Sequence, residues 1–246
     1  MTNTPVEQVI FDLDSTLLDT EKIKVIFAEI AAQYGITDPQ EVRKVYRSAR
    51  TENQEGKKIA ADLDSFLGAI EKTVGQEVNR GAAMKYFEER SKEGLLIPGA
   101  EELVRACDER RLSKQLLSLG VQEWQEWKIR LAGLDKYFST GETIFTRDTE
   151  KGKIEVLQEL WGQNYQGERT LLFNDKPEET ERLMGAFPGL RVFLRREERD
   201  TRYKEEDFVR LQEKMDGRLV WSDDLSVLKT EMLALLNPEK YDGERR

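Results

Sequence analysis

At 246 residues the chain is long enough to bury a substantial core, as one α/β domain or as a core with a smaller companion. It has no histidine and one cysteine, Cys107, which excludes a Ser-His-Asp triad, a Cys-His dyad, histidine- or thiolate-rich metal sites and any intrachain disulfide. A net charge of −9 argues against a general nucleic-acid binder, and no stretch approaches the ~20 apolar residues of a membrane span. Chemistry is left to carboxylates, lysines, hydroxyls, backbone amides and a hard, oxygen-seeking metal. Residues 1–6 show neither a basic leader nor a long apolar one, so the expected location is cytoplasmic.

In chain order, VIFDL at residues 9–13 is a short apolar run ending in acid, the pattern of a buried strand that delivers side chains to its carboxyl edge. From about residue 21 to residue 90 the apolar residues recur at helical spacing, with breaks at 35–39, 51–56 and 75 and no strand signal. A strand–helix alternation then resumes. Strands are predicted at 115–118, 143–145, 170–173, 191–194 and 219–221, with helices at about 100–110, 122–132, 153–160, 178–186, 208–214 and 225–236. Short apolar strands alternating with helices predict an α/β fold: a Rossmann-like parallel-sheet core covered on both faces. The predicted division is a core of residues 1–19 and 94–246 and an inserted all-α helical bundle at 20–93. The charge run RREERDTRYKEE at 195–206 reads as a solvated loop and helix start.

Asp12 and Asp14 stand two residues apart at the end of the first strand. An immediate turn at Ser15-Thr16 brings both carboxylates to one pocket. One carboxylate of such a pair can attack phosphorus, and the other can move the proton of the leaving oxygen. Ser118 ends the strand QLLSLG, where a hydroxyl can bind phosphate. Lys151 and Lys153 lie at the start of the helix in DTEKGKIEVLQEL, where a fixed cation offsets the charge of nucleophile and phosphate. Asp175 ends the strand in TLLFNDKPEET, where a carboxylate can be a magnesium ligand or a helix cap.

The order of these elements resembles the haloacid dehalogenase-like superfamily over nearly the whole chain. DLDST is similar to its first motif, D-x-D-x-T. The resemblance implies that Asp12 is the nucleophile, Asp14 the general acid/base and Thr16 the support of Asp14. It matches Ser118 to the second motif. In the third motif Lys151 aligns best and Lys153 is the competitor. Asp175 matches the fourth, so that Asp12, the backbone carbonyl of Asp14 and Asp175 would hold Mg2+. Leu119, Asn174 and Lys176 depart from the usual pattern, and Glu179 takes the place of an outer partner to the metal. The helical insert resembles a C1-type cap. Its basic residues Arg43, Arg47, Arg50, Lys57 and Lys58 read mainly as a solvated face, and its aromatic residues Phe27, Tyr34, Tyr46, Phe66 and Tyr86 as core. The implied activity is Mg2+-dependent hydrolysis of a small phosphorylated metabolite through an aspartyl phosphate. A phosphomutase on the same fold and a non-catalytic binding protein are the alternatives. No nucleic-acid or membrane partner is expected.

Overall fold

The computed structural model describes residues 5–50, 61–146 and 152–237. Six strands form one sheet in the order β3-β2-β1-β4-β5-β6. They are β1 (Gln8–Phe11), β2 (Ser113–Leu119), β3 (Thr143–Thr146), β4 (Thr170–Asn174), β5 (Arg191–Arg195) and β6 (Leu219–Ser222). Every neighbouring pair is parallel. The first three strands run outward to one side and the last three to the other, so the order reverses between β1 and β4. Ligand crevices in such sheets open beyond the carboxyl ends of the strands at that reversal.

Alternation along β1 assigns its side chains to opposite faces. Val9 and Phe11 join one buried cluster, and Ile10 joins the other. Phe11 stacks on Phe173 of β4 and Phe173 on Phe193 of β5, each at 5.0 Å between ring centres. Helices α5 (Ala100–Glu109) and α10 (Leu225–Leu236) contribute to the first cluster. Helices α7 (Lys153–Trp161), α8 (Pro177–Ala186) and α9 (Glu205–Lys214) contribute to the second. Helix α6 (Gln122–Leu131) follows β2.

Between β1 and β2 lie four helices: α1 (Thr20–Ala32), α2 (Pro39–Ser48), α3 (Leu63–Val74) and α4 (Arg80–Ser91). Their starts are written in local polar residues. Asp19, Asp38, Asp62 and Asn79 cap them by accepting first-turn backbone N–H groups. Gly75 ends α3 with φ 70°, the left-handed conformation that glycine reaches without a Cβ penalty. The chain enters and leaves this insert through two crossing segments, where Asp19 N–H donates to the Leu95 carbonyl and Ile97 N–H to the Leu17 carbonyl, both at 2.9 Å. The insert then packs on α6. Phe27 and Phe87 meet Trp124 at 5.9 and 5.3 Å, and Phe87 stacks on Trp127 at 5.1 Å.

All six predicted strands are present. Helix α9 begins three residues before its predicted start, where the Asp207 carboxylate accepts the Lys204 N–H at 3.0 Å ahead of the apolar residues. Tyr34, Tyr46 and Tyr86, read as core, are only partly buried. No helix among the described residues is long and apolar enough to cross a membrane.

Candidate active site

Asp12 directly follows β1, and its backbone N–H donates to the Phe173 carbonyl of β4 at 2.9 Å. The strand pairing thus delivers Asp12 to the reversal point of the sheet, where its side chain is buried. Lys153, the first residue of α7, is buried as well, and its Nζ reaches Asp12 Oδ1 at 2.8 Å, Asn174 Oδ1 at 2.9 Å and Glu179 Oε2 at 2.6 Å. Lys151, the preferred candidate, lies outside the described residues; among the described residues the lysine paired with Asp12 is Lys153. Thr16 also differs from expectation. Its hydroxyl donates to Asp12 Oδ2, at 3.4 Å, rather than supporting Asp14.

Glu179 and Asn174 bind Lys153, and Asn174 is locked further by donating to Thr180 Oγ1 at 2.9 Å. Burial alone would raise the Glu179 carboxyl, but the charges of Lys153 and Lys176 hold it down at about 2. Burial drives Asp12 upward against the pull of the same two lysines.

Asp14 meets different partners. Its Oδ2 accepts from Gln125 Nε2 at 3.1 Å, and its Oδ1 pairs with the Lys128 ammonium. Both partners are buried on α6, three residues apart and so on one helical face. Lys128 also lies over the Trp124 ring, 5.6 Å from its centre. Burial of Asp14 works to raise its carboxyl, but the charge and hydrogen bond of Lys128, with the Gln125 bond, set it below its ordinary range. Gln125 Nε2 further donates to Ser118 Oγ at 3.0 Å and to the Leu119 carbonyl at 2.9 Å. The close approach of Gln125 requires Gly120. A Cβ at that position would meet Gln125 Nε2 at 2.8 Å, and φ there is 144°.

Asp175 is buried at the end of β4, and its Oδ1 has no hydrogen-bond partner. Burial, against the pull of Lys176 and with the push of Asp12, drives its carboxyl up to about 7. A buried, unpartnered carboxylate oxygen beside a second buried carboxylate is where a hard cation relieves a real cost. Among the described residues no group of three or more acidic, histidine or cysteine side chains converges on a point. That donor set fits magnesium, which uses one or two carboxylates with waters and substrate oxygens, better than an all-protein cage. Lys176 lies within electrostatic reach of Asp175, Asp12, Glu179 and Asp14, and these carboxylates raise its ammonium above the ordinary value.

A cavity of about 1120 Å³ opens above these groups. Asp14, Lys128, Lys153, Asp175 and Lys176 line its floor. Phe27, Tyr46 and Phe66 of the insert line it too, with Arg43, Arg47 and Arg50. Lys57 and Lys58 lie outside the described residues.

Sequence reasoning missed Gln125 and Lys128. The signal was two polar residues among the inward positions of QEWQEWKIRL, beside Trp124 and Ile129. The charge run is mostly an exposed loop and helix start, as expected, but Arg195 and Glu197 within it are buried.

Comparison with known proteins bears on the family and the fold. The family model of the haloacid dehalogenase-like hydrolases matches residues 6–181. No curated protein matches the chain. Among solved structures, a hydrolase of that family from Xanthomonas campestris aligns with TM-score 0.58 at 16% identity, covering 94% of this chain and 96% of the other. One from Deinococcus radiodurans R1, with bound phosphate and sodium, aligns at 0.53 and 15%, with the same coverage. A Thermotoga maritima protein assigned as a β-phosphoglucomutase aligns at 0.57 and 21%, covering 92% and 99%. At these identities the structural likeness speaks for the fold.

Proposed function

The chain belongs to the haloacid dehalogenase-like hydrolases, and we propose that it hydrolyses the phosphomonoester of a small metabolite with Mg2+ as cofactor. The observation that carries this reading is the buried Lys153–Asp12 pair at the carboxyl edge of the sheet, next to the unpartnered oxygen of Asp175.

Asp12 is the nucleophile. Its carboxylate attacks phosphorus, the bond to the leaving alcohol breaks, and an aspartyl phosphate forms. Lys153 holds the attacking carboxylate and offsets its charge beside the phosphate. Asp14 delivers a proton to the departing oxygen and then takes one from the water that releases phosphate from Asp12. Ser118 accepts from Gln125 and keeps its own hydroxyl proton to donate to a phosphate oxygen. Asp12, the backbone carbonyl of Asp14 and Asp175 are the groups that would hold Mg2+. When bound, the ion offsets charge on the phosphate oxygens and fixes their position. Residues 20–93 act as the cap: their aromatic and arginine side chains form part of the cavity wall, where they exclude water and select the leaving group.

The test is release of inorganic phosphate from a panel of sugar phosphates, nucleotides, phosphoglycolate and p-nitrophenyl phosphate, with and without Mg2+. Turnover is expected only with Mg2+ and is expected to fall on the order of 10³-fold or more in Asp12→Asn. Transfer of the phosphoryl group to a sugar in place of release would indicate a mutase. Turnover unchanged in Asp12→Asn would overturn the nucleophile assignment.

A further inference from the structure

Arg195 is the last residue of β5, at the same sheet edge as Asp12 and Asp175. Its side chain is buried, and Nη1 donates to the backbone carbonyl of Ser15 at 2.7 Å. Ser15 has φ 62°, in the left-handed region that a serine seldom adopts. The turn around it is tight. Ser15 N–H donates to the Leu18 carbonyl at 2.9 Å, and the N–H groups of Leu17 and Leu18 donate to the Leu13 carbonyl at 3.0 and 2.9 Å. Asp14 sits inside this turn, one residue before the carbonyl that Arg195 grips.

Arg195 is itself held. Glu197, buried, accepts from Arg195 Nη1 and Nη2 at 3.2 and 3.1 Å. The same carboxylate takes Arg199, whose Nε donates to Glu197 Oε1 at 2.7 Å and whose Nη2 donates to Oε2 at 2.9 Å. Arg199 Nη2 then reaches Asp19 Oδ1 at 2.8 Å, on the cap residue that opens the helical insert. A chain of buried and half-buried charges therefore runs from the turn after Asp14 to the point where the insert begins.

We propose that Arg195 is a positioning residue for Asp14: its bond to the Ser15 carbonyl keeps the turn left-handed and so aims the Asp14 carboxylate into the cavity, with Glu197 and Arg199 as its brace. Without that bond a buried carbonyl loses its donor and Ser15 is released toward the negative φ that serine prefers, which rotates the peptide joining it to Asp14. The function of Asp14 in this inference rests on the phosphohydrolase reading; the brace does not.

The experiment compares wild type, Arg195→Met and Arg195→Met/Ser15→Gly on two esters with Mg2+, together with amide hydrogen exchange. Nitrophenolate leaves without a proton, whereas a sugar alkoxide needs one. Arg195→Met should therefore slow glucose 6-phosphate on the order of 30-fold and p-nitrophenyl phosphate about 3-fold or less. Glycine at position 15 takes the left-handed conformation unaided, so the double variant should recover most of the loss on glucose 6-phosphate. Exchange at the amides of residues 15, 17 and 18 should accelerate about 10-fold in Arg195→Met. Unchanged exchange in the folded variant overturns the proposal, and so do equal losses on both esters without rescue by glycine. If wild type hydrolyses neither ester, the exchange rates alone decide the brace. Glu197→Gln, which keeps Arg195 and loosens it, replaces Arg195→Met if that variant does not fold.

Discussion

Asp12 and Asp14 leave the same strand two residues apart and enter unlike surroundings. Asp12 turns into the protein, with 5% of its side chain exposed, and Lys153 ties it to β4 and α8 through Asn174 and Glu179. The Asp14 side chain is 31% exposed, lines the cavity and is tied to α6 by Gln125 and Lys128. The turn at Ser15 therefore does not gather the pair around one partner. Residues two apart in a regular strand share a face, so the unlike partners of Asp12 and Asp14 mark where the chain leaves the strand, and each carboxylate pairs with its own lysine. Lys176 lies in electrostatic reach of both. The difference suits a division of labour, with one oxygen group fixed for attack and another at the solvent-facing side for proton transfer.

The largest expected effect lies on the Asp12 side. Lys153→Met leaves Asp12 and Glu179 buried around a missing cation and should cost about 3 to 5 kcal/mol in urea unfolding, along with nearly all turnover. Lys151→Met should leave turnover within about 3-fold, which makes the two lysines a direct check on the assignment of the pair.

A smaller effect tests Asp175. Its folded-state value of about 7 exceeds the ordinary 3.8, so the folded protein binds this proton more tightly than the unfolded chain. Metal-free stability should then fall as pH rises from about 4 to about 7. Asp175→Asn should remove that fall and raise the metal-free Tm at pH 8. Mg2+ should restore wild type at pH 8 and do little for the variant. A pH-independent metal-free Tm in wild type would contradict the reading.

The smallest effect lies on the Asp14 side. Lys128→Met removes the charge that holds the Asp14 carboxyl low, and burial then lifts it. The limb of the pH–rate profile that reports Asp14 should move upward by about 1 pH unit for an alkyl ester. It should stay in place if Asp14 plays no part in proton transfer.

Much of the core was legible because its signals are local. A short apolar run followed by acid marks a strand that buries itself and presents its last side chain at the sheet edge, so Asp12, Asp14, Ser118 and Asp175 could be placed at strand ends, and the family resemblance assigned their roles. The caps Asp38 and Asn79 and the terminating Gly75 likewise state where the insert's helices start and stop. The neighbours of these residues were not legible. Gln125 and Lys128 reach Asp14 across 111 and 114 positions, and Arg195 reaches Ser15 across 180. Nothing within a helical turn of Arg195 sets it apart from the other arginines of its run.

The sequence by itself determined the alternation of strands and helices, the helical insert between β1 and β2, and the carboxylates at the strand ends, since each follows from periodicity and from residue types adjacent in the chain. Tertiary structure decided which cation serves which carboxylate. Lys151 and Lys153 are equivalent as letters before a helix, and the charges of 195–206 are equivalent as letters in a loop. Burial picks out Lys153 and Arg195: an ammonium or guanidinium removed from water must be met by oxygens from other strands and helices, and only the folded sheet brings those oxygens to one place.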